Sequence, residues 1–226
     1  MLIPNPSSGS KVSISPGKIR VPKKKPDSIK LLNLLWRSQE QAHFLSTNDR
    51  TKSGSFRNIP ALDDLEKQIR ELTQSGIDLY MACAEFTDNS SRTKANSTGA
   101  WAFWIDIDCG KEKATSGQGY TNINYGRKAL EAFCRKANIP HPNVLINSGT
   151  GIHAYWILDN FLEKARWEEY ALKLKALTKE LGFMADPSRT SDIASVLRVP
   201  NSLNHKYQPA KTVEIIHFND QLIEVL

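Results

Sequence analysis

The sequence is poor in cysteine. Of its 226 residues only Cys83, Cys109 and Cys134 are of this type, an odd number with no C-x-x-C spacing. That argues against a disulfide framework and against a cysteine-rich zinc centre, and a reducing cytoplasm is the expected compartment. Long apolar runs are also missing. No segment approaches the roughly 20 residues that a membrane span needs, and the first residues carry no apolar signal-peptide core, so no membrane partner is expected. Acid is scarce at one end only. Residues 1–30 hold seven basic residues and a single acid, Asp27, whereas the remainder holds 23 of each sign. The net charge of +6 therefore belongs to a tail that also carries Pro4, Pro6, Pro16, Pro22 and Pro26. Such a tail (residues 1–27) is expected to be flexible, either touching phosphates without sequence preference or simply solvated.

What is present centres on Trp101-Ala102-Phe103-Trp104-Ile105-Asp106-Ile107-Asp108. As a strand it places Trp101, Phe103, Ile105 and Ile107 on one face, suited to a core, and Trp104, Asp106 and Asp108 on the other. Carboxylates two residues apart on one strand sit roughly 6–7 Å apart at the backbone. They repel unless one is protonated or a cation lies between them, and carboxylate oxygens are what Mg2+ prefers. The pair could equally end a strand at a solvated turn.

Around this strand the spacing predicts a helix from Ser28 to about Leu45, a polar loop over 46–58 and a helix carrying Leu62, Leu65, Ile69 and Leu72, stopped near Gly76. Ile77–Phe86 reads as a strand and Thr87–Thr98 as an exposed loop. After the acids come a glycine- and lysine-rich loop to about Thr121 and a helix from Asn124 to about Ala137. Strands at Asn143–Asn147 and Ile152–Leu158 flank Ser148-Gly149-Thr150-Gly151 as a hairpin. A long helix follows with Trp167, Tyr170, Leu174, Leu177 and Leu181 in one stripe, then a short strand Phe183–Asp186. Ser191–Val199 reads as a turn or short helix, and Thr212–Phe218 as a last strand. The class is α+β with antiparallel pairing.

Two further constellations carry chemistry. Gly149 and Gly151 permit positive φ and leave amides unshielded, so that loop can wrap a phosphate. His153 alternates away from Ile152, Ala154 and Trp156, on the same face as Tyr155, where it can donate to a phosphate oxygen or act as acid or base. A glycine turn beside a satisfied core histidine is the plainer reading. In the third, Asp186, Arg189, Asp192, Arg198, Asn204 and Lys206 lie among turn residues. Asp186 ends an apolar segment and can join the first two acids, while Arg198 and Lys206 can reach a triphosphate. Helix caps and surface charges are the plainer reading there.

The ordered set of Ile105–Asp108, Ser148–Trp156, Ala185-Asp186 and Leu197–Lys206 resembles the archaeo-eukaryotic primase superfamily, in particular the primase-polymerases of phages, plasmids and other mobile elements. The resemblance covers roughly residues 77–218. It implies an RRM-like antiparallel sheet with packed helices plus a smaller α/β module, so that residues 28–98 form an N-terminal module and 99–226 the RRM-like catalytic module. It also implies DNA-dependent primase and polymerase activity, transferring (d)NTPs to a 3′-hydroxyl on a single-stranded DNA template. By its pattern Asp106, Asp108 and Asp186 hold two Mg2+ or Mn2+ ions, with Asp192 the second choice for the third acid. Ser148, Gly149, Gly151, His153, Arg198, Asn204 and Lys206 bind nucleotide, and His153 joins the acids as catalytic. A replicative helicase, fused or separate, is an implied partner. Template is expected over an exposed sheet face with Tyr155 available for stacking. Where the family often has Pro-Gly-Thr this chain has Pro200-Asn201-Ser202; Asn tolerates left-handed φ. The rival readings are a non-catalytic single-strand-binding domain of a replication initiator and a D-x-D glycosyltransferase.

Overall fold

The computed structural model describes residues 27–49 and 55–224; the basic tail lies outside them, apart from Asp27. The chain opens with α1 (Asp27–Leu35), which buries Leu31, Leu32 and Leu35. The helix ends ten residues before expected because its next residues are tied elsewhere. Trp36 Nε1 donates to the Ala82 carbonyl at 3.0 Å, and the Ser38 amide and hydroxyl donate to Glu85 at 3.0 and 2.6 Å.

The stretch read as the helix end and a loop is instead a hairpin of β1 (Phe44–Asp49) and β2 (Ser55–Pro60). Strand β1 also pairs with β3 (Asp78–Ala82), placing Leu45 opposite both Ile59 and Met81. The polar face of this hairpin concealed it in sequence: Ser46 Oγ donates to Asn58 Oδ1 at 2.6 Å, so side chains of the two strands satisfy each other. Helix α2 (Leu65–Gln74) is capped by Asp64, which accepts from the Lys67 amide at 3.0 Å.

After the two-residue β4 (Glu85–Phe86) comes the long β5 (Ser97–Asp108), then α3 (Lys111–Thr115) and α4 (Ile123–Ala137). The cap of α4 is Asn122, whose side chain accepts from the Tyr125 amide. The hairpin of β6 (Val144–Asn147) and β7 (Gly151–Glu163) follows as expected and leads straight into α5 (Lys164–Glu180). Residues 183–186 form no ladder and are an extended link into α6 (Pro187–Thr190). The segment expected as a turn or short helix ends as β8 (Val196–Arg198), and β9 (Leu203–Asn204), β10 (Lys211–Thr212) and β11 (Glu214–Phe218) complete the chain.

Two main sheets result, one ordered β11-β6-β7-β5-β4 and the other β2-β1-β3-β8, beside a small β10-β9 pair. Strand β8 carries the C-terminal half of the chain into the sheet begun by the N-terminal half. One continuous apolar core joins the two, from Leu31 and Leu79 to Trp104, Ile157 and Val199. A second core packs Ile105, Ile107, Ala154 and Trp156 against Leu130, Phe133 and Phe183. Both faces of β5 and β7 are therefore covered, which corrects two expectations. Trp104 and Tyr155 are fully buried, so the face read as open is closed above the acids, and Tyr155 is no platform for a template base. Among the described residues no helix is long and apolar enough to cross a membrane.

Candidate active site

Strand β4 reaches along no more than the start of β5, so the other half of β5 has an open edge. An edge strand leaves unanswered backbone groups, and here α5 and α6 answer them. Trp167 Nε1 donates to the Ala102 carbonyl at 2.8 Å, and the Asp186 amide donates to the Asp106 carbonyl at 2.7 Å. Trp104 Nε1 in turn donates to the Arg189 carbonyl at 3.0 Å, fixing α6 on the sheet. This is how a residue 80 positions downstream comes to lie beside Asp106. On the other side of β5, Asp106 stands directly opposite His153 in the β5–β7 register.

The carboxylate of Asp106 is pushed up to about 7, first by burial and then by the charges of Asp108 and Asp186, with Arg189 and Lys113 offsetting part of the rise. Asp108 makes an ion pair of 2.7 Å with Lys113 of α3, whose ammonium is held above its ordinary range chiefly by that contact. Asp186 caps α6: its Oδ1 accepts from the Ser188 amide at 2.8 Å and hydroxyl at 2.6 Å. Burial alone would raise Asp186; these bonds and Arg189 outweigh it and hold the group below the usual carboxylate range. The second-choice acid, Asp192, accepts from the Ala194 amide and faces Arg92. It is Asp186 that reaches the pair.

His153 is only 4% exposed. Burial, then the charges of Arg198 and Arg189, lower it to about 3, so the imidazole is neutral at pH 7. Its Nε2 lies 3.7 Å from Asp106 Oδ1, too far for a hydrogen bond. Its Nδ1 is buried with no hydrogen-bond partner among the described residues. Leaving such an atom unpaired costs about 1–3 kcal/mol.

The Ser148–Gly151 loop is held to the end of β5. A Cβ on Gly151 would stand 2.6 Å from the Ile107 carbonyl oxygen, so only glycine allows the strands this approach. Gly149 adopts φ +95° beneath Lys211 and Asn204. The expected amide cradle is largely spent on the loop itself: the Ser148 amide donates to the Gly151 carbonyl at 3.0 Å, and that of Gly149 to Asn147 Oδ1 at 2.9 Å. Of the loop's hydroxyls, that of Thr150 already accepts from the Tyr207 hydroxyl at 3.4 Å, and that of Ser148 is the other polar group the loop offers. Asn204 holds the loop, its Nδ2 donating to the Ser148 carbonyl at 2.9 Å. Asn201 adopts the left-handed φ of +62° that its side chain tolerates, with its amide bound to the Val213 carbonyl.

The cations are arranged differently from expectation. Arg198 is 7% exposed and clamped by fully buried Asp78, with Nη1–Oδ1 at 3.1 Å and Nη2–Oδ2 at 3.3 Å, over the Tyr80 ring. Asp78 also accepts from the His205 amide at 2.7 Å. Lys206 is exposed beside Tyr207 and makes no contact with the acids. The cations nearest the acids are Lys113 and Arg189. The glycine- and lysine-rich loop after Asp108 was the sequence signal for the first; Arg189, three residues past Asp186, becomes legible only once α6 is known to dock on β5. Nothing in sequence marked Asp78.

Among the described residues no three acid, histidine or cysteine side chains close into a ready-made metal cage. Asp108 and Asp186 are turned to Lys113 and Ser188 instead. The donor types nevertheless suit a hard divalent ion: the charges of Asp108 and Asp186 bear on Asp106, which resists ionising there, and the Lys113 ammonium pairs with Asp108.

No protein-family model matches the sequence, and no curated protein matches it. Solved structures do. The primase-polymerase AEP domain of cyanophage S-2L superposes with a TM-score of 0.65 at 18% identity, covering 88% of this chain and 92% of that one. The catalytic domain of primase RepB′, solved with initiator DNA, gives 0.53 at 12% identity, covering 86% and 87%. The polymerase domain of Mycobacterium tuberculosis ligase D, solved with DNA, gives 0.50 at 13% identity, covering 83% and 77%. The chain thus has the mixed α/β fold of archaeo-eukaryotic primase catalytic domains.

Proposed function

We propose that this chain is a DNA-dependent primase-polymerase of mobile-element replication, joining (d)NTPs to a 3′-hydroxyl on a single-stranded DNA template with release of pyrophosphate. The observation that carries the reading is the charge of Asp108 and Asp186 bearing on Asp106, beside a neutral, buried His153 with an unpartnered nitrogen. The fold shared with primase-polymerase domains supports it.

Asp106, Asp108 and Asp186 are the residues that would hold two Mg2+ or Mn2+ ions, which when bound supply a lowered pKa to the attacking hydroxyl and neutralise charge along the triphosphate. His153, neutral at pH 7, donates its one N–H to a phosphate oxygen and adds no charge. The Ser148 and Thr150 hydroxyls complete the contact from the hairpin. Arg189 and Lys113 flank the acids and offset anionic charge as it accumulates. Arg198 acts from its clamp on Asp78, lending positive potential to the His153 side of the site. Asn204, Gly149 and Gly151 fix the shape of the loop that carries Ser148.

The test is nucleotide incorporation on single-stranded DNA with Mg2+ or Mn2+, with and without an annealed primer, comparing the native chain with Asp106→Asn/Asp108→Asn. The reading expects incorporation by the first and none by the second. Product that survives the double substitution would sink the site assignment. Tight strand binding without any incorporation would make the chain a non-catalytic binding domain.

A further inference from the structure

The five-stranded sheet has a second polar surface on the face away from the acids. In the register Asp106 stands opposite His153 and then Ile146, so these share the catalytic face. Ile105, Ala154, Leu145 and His217 align on the reverse face. There a cleft of about 350 Å3 lies between α4 and the β6–β11 edge, with Leu130, Pro142 and Leu145 among its lining residues. Arg127, Arg135, His141 and His217 line it against a single acid, Glu131. Arg127, Arg135, His141 and His217 are all exposed, and neither guanidinium forms an ion pair with an acid among the described residues.

A second cleft of about 410 Å3 shares His141, Pro142 and His217 with the first and continues past Asn219 and Gln221. The two make one elongated groove, cationic at the α4 end and lined at the other by Asn219, Gln221 and the carboxylate of Glu224. Outside residues 1–30 the chain carries equal numbers of acidic and basic residues, so this concentration of unpaired cations is local. Arg127 and Arg135 are eight residues apart on one helix, about 12 Å along its axis. Charges at that separation meet different phosphates of a strand, not the single phosphate cluster of a free nucleotide. Apolar lining between cations suits sugars and bases lying along the backbone contacts.

We infer that this reverse-face groove binds a single-stranded nucleic acid through its phosphate backbone, holding the strand where it extends beyond the catalytic face. The inference rests on the nucleic-acid reading above but concerns different residues. Arg127 and Arg135 are the principal contacts, with Asn219 and Gln221 as neutral donors further along.

The experiment measures binding of a labelled single strand of about 30 nucleotides against salt concentration, for the native chain and for Arg127→Ala/Arg135→Ala. Extension of a primer on a template too short to leave the catalytic face is followed in parallel. Each single-strand phosphate contact contributes about 0.7 to the slope of log K against log salt, so the double variant is expected to lose about 1.4 of slope and about tenfold in affinity near 0.1 M salt. Short-template extension and melting temperature stay as in the native chain. Arg127→Glu/Arg135→Glu weakens binding further. Superimposable slopes for the native and double-variant proteins overturn the inference, and a surface made for an acidic protein partner gives that result. If the native chain extends nothing, the catalytic reading fails by itself while the slopes still decide the groove.

Discussion

Two carboxylates in this molecule meet opposite circumstances. Asp78 is fully buried at the start of β3 and is answered by Arg198 and by the His205 amide. Asp106, with a quarter of its side chain exposed, has two more carboxylates for neighbours and a histidine too distant to bond. A buried charge with its partners in place is part of the framework, and removing one partner is what costs. A partly exposed charge held against the repulsion of its neighbours makes sense at a site that receives its counter-charge from outside. The difference separates residues that resemble one another in sequence: Arg198 and Arg189 are both arginines near the third acid, yet one is clamped in the framework and the other lies at the acids.

The comparison can be broken most directly at the site. Asp106→Asn/Asp108→Asn is expected to lower incorporation at least about a thousandfold, or about 4 kcal/mol of transition-state stabilisation, while thermal melting shows stability unchanged or raised. A double variant that unfolds would place Asp106 in the same class as Asp78. Arg198→Ala should behave in the reverse sense, losing about 3–5 kcal/mol in denaturant unfolding because Asp78 loses its guanidinium partner. Replacing Asp78 and Arg198 together by apolar residues of similar volume should recover most of that loss.

A smaller effect sharpens the boundary between shape and charge. Gly151→Ala forces a methyl against the Ile107 carbonyl and is expected to cost about 1–3 kcal/mol, with incorporation falling further than stability because the Ser148 loop moves. The smallest concerns pH. Burial alone would raise Glu85, but hydrogen bonds from His43 and from Ser38 outweigh it and hold the group below its ordinary value. The stability it contributes is present above the unfolded-state pKa and is lost as pH falls through the folded one. Glu85→Gln should therefore flatten the acid limb of a stability–pH curve, and an unchanged limb would show that Glu85 is not what stabilises this corner.

Much of the site was legible because alternation along a strand is local. Asp106, Asp108 and His153 fall on the side that a period of two assigns them, and the glycines of the hairpin mark its turn. What lies above the acids was not legible, because a strand's polar-facing side need not face water. Trp104 and Tyr155 lie in a core shared with the sheet containing β8, which is assembled from segments more than 100 residues apart. The β1–β2 hairpin was hidden because Ser46 and Asn58 satisfy each other across the strands, so its polar residues look like those of a loop. Asp78 gave no sign of its role because its partners lie about 120 positions away. Residues 183–186 have the apolar pattern of a strand, yet only the Asp186 amide reaches β5.

That hook has an optical consequence. The indole N–H of Trp104 is bonded to the backbone of α6, the helix capped by the third acid, and its ring lies 4.7 Å from that of Trp167 with the planes inclined by 27°. Two indoles this close share their excited states, so the near-ultraviolet circular dichroism of the pair is sensitive to where α6 sits. The protein thereby carries an internal spectroscopic gauge of its third carboxylate, readable without a label as ligands are added.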